Sequence, residues 1–159
     1  MKFAKVIRFD KSDLNIFPLI AEEGELALVG TFTFNNIVKD DLKGKIKQSF
    51  SNGFIGCPSF GFSTLISLVN VKEAELLKLK ETLSQHFIIN YGAPSIDVAL
   101  KAASEEIDFM IDLCKGHELG SLLSISREWT DEGIKESFRN LPKADSCAEQ
   151  KIWTFVEEE

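Results

Sequence analysis

Cysteine and histidine are scarce in this chain of 159 residues, which has three cysteines and two histidines. The cysteines, Cys57, Cys114 and Cys147, are far apart, and no Cys-x-x-Cys pair is present. An odd number of widely separated cysteines favours reduced thiols over a disulfide framework. Because Glu-x-x-His motifs are also missing, the sequence predicts no bound metal and no other cofactor.

Long apolar runs and excess positive charge are missing too. No run approaches the ~20 residues that cross a bilayer, and the opening MKFAKVIRFDKSD lacks the apolar block of a signal peptide. We therefore expect a cytoplasmic protein with no membrane partner. The net charge is −7, and negative charge repels phosphate backbones, so we expect no nucleic-acid partner.

Phenylalanine, by contrast, is abundant, with thirteen residues against a single tyrosine. Phenylalanine has no polar group to satisfy, so these rings are predicted to fill a core. The chain length is typical of one domain. We expect residues 1–142 to form that domain and residues 143–159 to form a connector and a C-terminal strand extension.

The hydrophobic pattern predicts an α+β fold. Strands are expected at 3–9, 15–21, 25–34, 63–71, 121–127 and 152–156, with a turn at Glu22-Glu23-Gly24. Helices are expected from Asp40 to Gly53, after an Asn70 cap, from Ser95 to Lys115, and briefly around Ile134, Phe138 and Leu141. In the third of these helices an inward stripe runs from Ile96 to Cys114. We expect a mixed, mainly antiparallel sheet with helices packed mainly on one face.

The stretch GFIGCPSFGFST, residues 53–64, is the main candidate for a binding site. Its glycines and hydroxyl groups suggest a pocket floored by Ser59, Phe60, Gly61, Ser63 and Thr64, and reached by His117 or Arg127. It lacks the lysine of a phosphate-binding loop and the G-x-S-x-G nucleophile elbow. We therefore predict no catalytic residue, and aromatic side chains packed under a tight turn remain the favoured interpretation.

Two further groups on the helix that ends at Lys115 have alternative interpretations. Cys114 and His117 can share a metal or form a reactive pair, but Cys114 also completes the buried stripe and His117 suits a helix C-terminus. Glu105, Asp108 and Asp112 follow one helix face, which is typical of a solvated surface. The sequence favours the structural interpretation for both groups.

Several segments together resemble a family of small bacterial proteins, proteobacterial in origin, known only as a domain of unknown function. The resemblance rests on GKIKQSF, on SFSNGFIGCPSFGFSTL, on Tyr91-Gly92-Ala93-Pro94, on EEIDFMIDLC and on GIKESFRNL, and it is expected to end near Leu141. It implies no catalytic or binding residue. Relatives in this family resemble genomic companions of formate dehydrogenase maturation factors and of lipoate- or biotin-ligase-like proteins. This genomic association implies an accessory role, including metalloenzyme maturation.

Two classes of function follow from these observations. The first is a non-enzymatic protein that binds a partner protein or a second copy of itself, because catalytic motifs are missing and the C-terminal strand suits strand addition. The second is a small-molecule or anion-binding protein, or an enzyme, with its pocket at Gly53–Thr64.

Overall fold

A computed structural model describes residues 1–8, 13–35 and 37–141 of the chain, and the predicted strand at 152–156 lies outside them. Seven strands form one curled sheet in the order β4-β3-β2-β1-β5-β6-β7. The strands are β1 (Lys2–Ile7), β2 (Leu26–Leu28), β3 (Phe54–Cys57), β4 (Phe62–Ser63), β5 (Leu65–Asn70), β6 (Leu122–Thr130) and β7 (Gly133–Leu141). The helices are α1 (Asp13–Ile16), α2 (Gly44–Asn52), α3 (Glu73–Tyr91) and α4 (Ile96–Lys115).

The predicted single-domain α+β fold is confirmed. Every pair of named strands is antiparallel, and within the described ranges the one parallel contact is an isolated bridge between Ile20 and Phe62. The central pairing is between β1 and β5, where Ala4 lies opposite Leu68 and Val6 opposite Ile66. All four of these side chains are buried, so the core is built around this pair.

Helices α3 and α4 pack against each other and against the sheet. Gly92 ends α3 in the left-handed conformation, with φ of 68°, and the hydroxyl of Ser95 accepts a hydrogen bond from the Val98 amide to begin α4. Both helices bury one stripe, as predicted. The buried residues are Leu76, Leu79, Leu83 and Phe87 on α3, and Ala99, Ala103, Ile107, Met110 and Cys114 on α4. Ile96, expected in the α4 stripe, is exposed because it lies in the first turn.

A second, smaller cluster consists of four phenylalanine rings. Phe34 lies between Phe50 and Phe62, with ring centroids 5.3 Å and 5.9 Å away, and Phe17 contacts Phe62 at 5.9 Å. These rings come from α2, from β4 and from the segments around α1 and the 3-10 helix Thr31–Phe34. The buried phenylalanines are thus divided between this cluster and the main core, which contains Phe3, Phe54 and Phe87.

Two predicted strands in the first third of the chain are wrong or too long. Residues 15–21 contain the end of α1 and the bridge at Ile20 instead of a strand, because Phe17 turns into the phenylalanine cluster. The strand predicted at 25–34 covers only Leu26–Leu28. Gly30 has a φ of 80°, which ends the extended backbone, and the 3-10 helix follows.

The predicted short helix around Ile134, Phe138 and Leu141 is also wrong, because these residues form β7, the hairpin partner of β6. Their spacing fits a helix face, but Ile134, Glu136 and Phe138 also alternate with exposed residues at a period of two. Gly133 has a φ of 119°, which suits the tight turn after Thr130.

Two helix starts lie later than predicted. A 3-10 helix, Lys39–Asp41, occupies the predicted start at Asp40, and α2 begins at Gly44. Helix α3 begins after Lys72, whose backbone amide is capped by Glu75, and not after Asn70. Among the described residues, no helix combines the length and apolar character needed to cross a bilayer.

The close approach of Gly61 to the backbone before β2 gives a first prediction. A Cβ atom on Gly61 would lie 2.6 Å from the Ala21 amide nitrogen and closer still to the Ile20 carbonyl. We expect Gly61→Ala to lower the free energy of unfolding, measured in urea, by about 1–3 kcal/mol, because backbone must shift. Gly116→Ala is the matched control, since its nearest atom would be 3.9 Å away. Equal stability of the two variants would contradict this packing.

Candidate functional site

The residues predicted to form the pocket lie along the connection from β3 through β4 to β5. Ser59, Phe60 and Gly61 belong to the turn between β3 and β4, which begins with a cis peptide bond between Cys57 and Pro58. Ser63 is the last residue of β4, and Thr64 is the half-buried residue before β5. We call residues 58–61 the 58–61 turn.

The 58–61 turn is held by a carboxylate from the start of β2. Glu25 accepts hydrogen bonds from the Ser59 amide at 2.7 Å and from the Ser59 hydroxyl at 2.6 Å. The same hydroxyl accepts from the Gly61 amide at 3.1 Å. Glu25 also accepts from the Glu22 amide at 2.7 Å, so one carboxylate fixes two turns. The Ser59 hydroxyl is thus part of an internal network.

Phe60 has a φ of 58°, and it is the only residue other than glycine with positive φ among those described. A bulky side chain in this region costs about 1–2 kcal/mol, so other contacts must hold it there. The Phe60 ring stacks on the ring of His86 in α3, with centroids 3.6 Å apart and planes at 6°. Burial lowers the pKa of His86, so the imidazole is neutral at pH 7.

A cavity of about 390 Å³ lies beside this turn, between the turn and α3. Its walls include Glu25, Cys57, Pro58, Lys78 and Leu79. Burial, followed by the charge of Glu25, raises the pKa of the Cys57 thiol to about 12. With that pKa the thiol is protonated at neutral pH, and the other walls of the cavity supply apolar and charged groups.

Ser63 is buried, and its hydroxyl donates to the Leu65 carbonyl at 2.9 Å. This hydroxyl therefore shapes the passage from β4 to β5. The structure brings Ser59, Phe60 and Gly61 into one turn and Ser63 and Thr64 next to it along the chain.

Arg127, predicted to reach the pocket from β6, is buried and directs its donors at the backbone. Its Nη1 atom donates to the carbonyl oxygens of Phe50 at 2.9 Å and Gly53 at 2.8 Å, with Ser49 at 3.3 Å. These carbonyls lie at the end of α2, where the last carbonyl groups of a helix lack helical partners, although the Ser49 carbonyl also accepts from the Gly53 amide. Nη2 donates to the carbonyl oxygen of Val29, so Arg127 joins α2 to the end of β2.

The other contacts of Arg127 involve side chains. Its Nε donates to the Thr31 hydroxyl at 2.8 Å and lies 3.7 Å from Glu136, whose carboxylate also accepts from Thr31. Its guanidinium carbon is 5.2 Å from the centre of the Phe34 ring. Burial lowers the pKa of Arg127 to about 10, against the opposing effect of Glu136, and the group stays charged at neutral pH.

His117 lies beyond the end of α4, and it contacts Lys2 and Asn140 instead of the 58–61 turn. Its Nδ1 is 2.9 Å from the Asn140 amide nitrogen, and its carbonyl accepts from the Lys2 ammonium at 2.6 Å. The thiol of Cys114 is buried, and burial raises its pKa to about 11 despite the charge of Lys2. Among the described residues, no group of three or more His, Cys, Asp or Glu side chains is placed to hold a metal ion.

A second candidate surface is the outer edge of β7. This strand has nine residues and is the last in the sheet, so within the described residues it pairs only with β6. The exposed side chains of Lys135, Ser137 and Arg139 project on one face, and the half-buried Ile134 and Phe138 lie on the other. A cavity of about 720 Å³ borders this hairpin, and Ile125 and Phe138 line it together with the polar residues Asn52, Ser124, Ser126, Ser137, Arg139 and Asn140.

Glu25 and His86 contact the 58–61 turn, although the sequence did not indicate either residue as part of the candidate site. Glu25 lies within the acidic stretch Glu22-Glu23-Gly24-Glu25, which is typical of a solvated turn. His86 lies on a helix that is otherwise defined by its leucines. Pairing a carboxylate with a serine amide 34 residues away requires the tertiary structure.

The chain belongs to a family of unknown function, DUF6505, whose family model matches residues 1–155. The predicted resemblance to a domain of unknown function is therefore confirmed. The match continues past Leu141, so the expectation that the family pattern ends there is wrong. No curated protein and no solved structure matches the chain.

The network around Glu25 gives a second prediction. In Glu25→Gln one acceptor oxygen becomes an amide donor, which then faces the Ser59 amide or hydroxyl. We expect a loss of about 1–3 kcal/mol in the free energy of unfolding in urea, because these donors lose their acceptor. Glu22→Gln is the control, since that exposed side chain makes none of these bonds. If both variants unfold at the same urea concentration, Glu25 does not organise the turn.

Proposed function

We propose that this chain is a non-enzymatic protein-binding module, which accepts an extended segment of a partner protein as an additional strand beside β7. The observation that carries the proposal is the nine-residue edge of β7, paired on one side only within the described residues. The outer side of such a strand presents unpaired backbone N–H and C=O groups, which an added strand satisfies. We further propose a bacterial, cytoplasmic accessory role, including metalloenzyme maturation.

The two faces of β7 specify the chemistry of the partner segment. Side chains of an added strand lie beside those of β7 on each face. Lys135 and Arg139 favour acidic residues on the exposed face, whereas Ile134 and Phe138 favour apolar residues on the other. We therefore commit to a partner segment that combines alternating apolar residues with acidic ones.

Residues 152–159 of this chain, IWTFVEEE, combine bulky apolar residues with three glutamates. They lie outside the described residues, and their sequence supplies a probe for the edge. A second copy of the chain that donated this segment would form a homo-oligomer by the same contacts.

The test uses a fluorescent peptide of sequence IWTFVEEE and the chain lacking residues 143–159. We expect saturable binding by fluorescence anisotropy, and at least about tenfold weaker binding to Lys135→Glu/Arg139→Glu, because the acidic residues then meet like charge. The control is Lys43→Glu/Lys101→Glu, which changes the same net charge at exposed sites outside β7. The mass of the full chain in solution reports whether a second copy is the donor.

Three results would count against the proposal. One is absence of binding by a truncated chain that still melts cooperatively. Another is equal binding of a scrambled peptide of the same composition. The third is equal weakening in the two charge-reversed variants, which would indicate a general charge effect instead of recognition by β7.

The cavity beside the 58–61 turn supports a second candidate, a small-molecule or anion-binding protein or an enzyme. The observation in its favour is the strained Phe60, which stacks on His86 at the edge of the turn. A small molecule bound there raises the melting temperature by mass action. This second function requires that the ligand no longer raises the melting temperature of Glu25→Gln but still raises that of Glu22→Gln.

A further inference from the structure

Three aromatic rings form a second group of contacts, where α3 ends and the 3-10 helix Thr31–Phe34 passes over it. Phe32 lies 5.0 Å from Phe87 and 5.7 Å from Tyr91, with interplanar angles of 86° and 79°. Phe87 and Tyr91 are 5.9 Å apart at 81°. The three rings are thus close to mutually perpendicular, so their faces point in three directions, and Tyr91 is 40% exposed.

A cavity of about 360 Å³ opens beside these rings. The three rings form one side of it, and α4 contributes Ala102, Glu105 and Glu106 on the other. This cavity is distinct from the one beside the 58–61 turn, and it shares no lining residue with it. Aromatic and methyl groups thus provide apolar walls, and two carboxyl groups provide negative charge.

The negative charge at this cavity has no matching cation in the described part of the chain. No lysine or arginine lies within ion-pair distance of Glu105 or Glu106 there, and none lines the cavity. Burial, and then the charges of Glu136 and Glu105, raise the pKa of Glu106. His86, 5.4 Å from Tyr91, is neutral at pH 7 because burial lowers its pKa. The surroundings therefore favour an added positive charge.

We propose that this cavity binds an organic cation whose charge lies on an alkylated ammonium group. Aromatic ring faces attract such a group through their quadrupole, and the N-alkyl carbons fit apolar walls, while carboxylates balance the charge. A bare metal ion suits the cavity less well, because it needs several oxygen ligands and, beside rings and alanines, the lining offers only Asn35, Glu105 and Glu106. The ammonium can belong to a small metabolite or to a methylated lysine side chain.

The experiment titrates the full chain with choline and follows binding by NMR chemical shifts and calorimetry. The neutral isostere 3,3-dimethyl-1-butanol has the same shape without the charge. We expect saturable binding of choline, and binding of the isostere that is weaker by about three- to thirtyfold, because only the cation gains the ring and carboxylate interactions. The N-acetyl amide of trimethyllysine distinguishes a small metabolite from a methylated lysine side chain. If this compound binds more tightly than choline, the natural ligand is a protein side chain.

Variants locate the site. Tyr91→Ala and Glu106→Gln should each weaken choline binding by at least about threefold, whereas Tyr91→Phe keeps the ring and should bind as the native chain does. Glu81→Gln, on the exposed face of α3, controls for net charge. Melting temperatures check that each variant is folded, and Tyr91→Ala removes a ring that is already partly exposed.

The proposal is overturned if the isostere binds as tightly as choline, since apolar contact alone then suffices. It is equally overturned if a folded Tyr91→Ala and a folded Glu106→Gln both bind choline normally, or if choline shows no saturable binding. If N-ethylguanidinium bound more strongly than choline, the cavity would prefer a planar cation, and the proposal of an alkylated ammonium would be wrong. None of these outcomes depends on the β7 edge.

Discussion

The buried guanidinium of Arg127 connects β6 to several segments that are distant in the sequence. It reaches from β6 to the last carbonyls of α2, to the end of β2 and to Thr31, and it lies over Phe34. A buried charge is tolerated only when hydrogen bonds and counter-charge surround it. Here those partners come from separate parts of the chain, so the hydrogen bonds of one side chain hold α2 and the end of β2 against β6.

This arrangement accounts for where function can reside. Arg127, Ser63 and Ser59 already have hydrogen-bond partners in the chain, whereas, among the described residues, Arg8 Nε and Thr33 Oγ1 are buried without one. Among the described residues, the groups proposed to meet another molecule lie at the periphery, along the edge of β7 and beside the rings of Phe32 and Tyr91. Both of these proposed binding sites therefore lie at the surface of the fold.

The sequence predicted the parts of the fold that local patterns determine. Helices α3 and α4 have long apolar stripes with clear ends, such as Ser95 and Gly92, and both were predicted closely. The hairpin strand β7 was mistaken for a helix, because Ile134, Phe138 and Leu141 satisfy both periodicities and only pairing with β6 decides between them.

The candidate site was harder to predict, because a hydroxyl or a guanidinium in a sequence does not reveal its partner. Ser59 was placed in a turn, but its bond to Glu25 spans 34 residues, and Arg127 was expected to meet a ligand although its bonds are internal. The two aromatic clusters likewise combine rings from distant segments, so composition indicated that phenylalanine is buried without indicating which rings meet.

The free energy of unfolding of Arg127→Met, measured in urea beside Arg139→Met, tests the central claim most directly. Both variants lose one charge, but Arg139 is exposed on β7. We predict a loss of about 3–5 kcal/mol for Arg127→Met, because Glu136 loses its buried counter-charge and four backbone carbonyls lose a hydrogen bond from the guanidinium. For Arg139→Met we predict a change within about 0.5 kcal/mol. Equal stability of the two variants would contradict it.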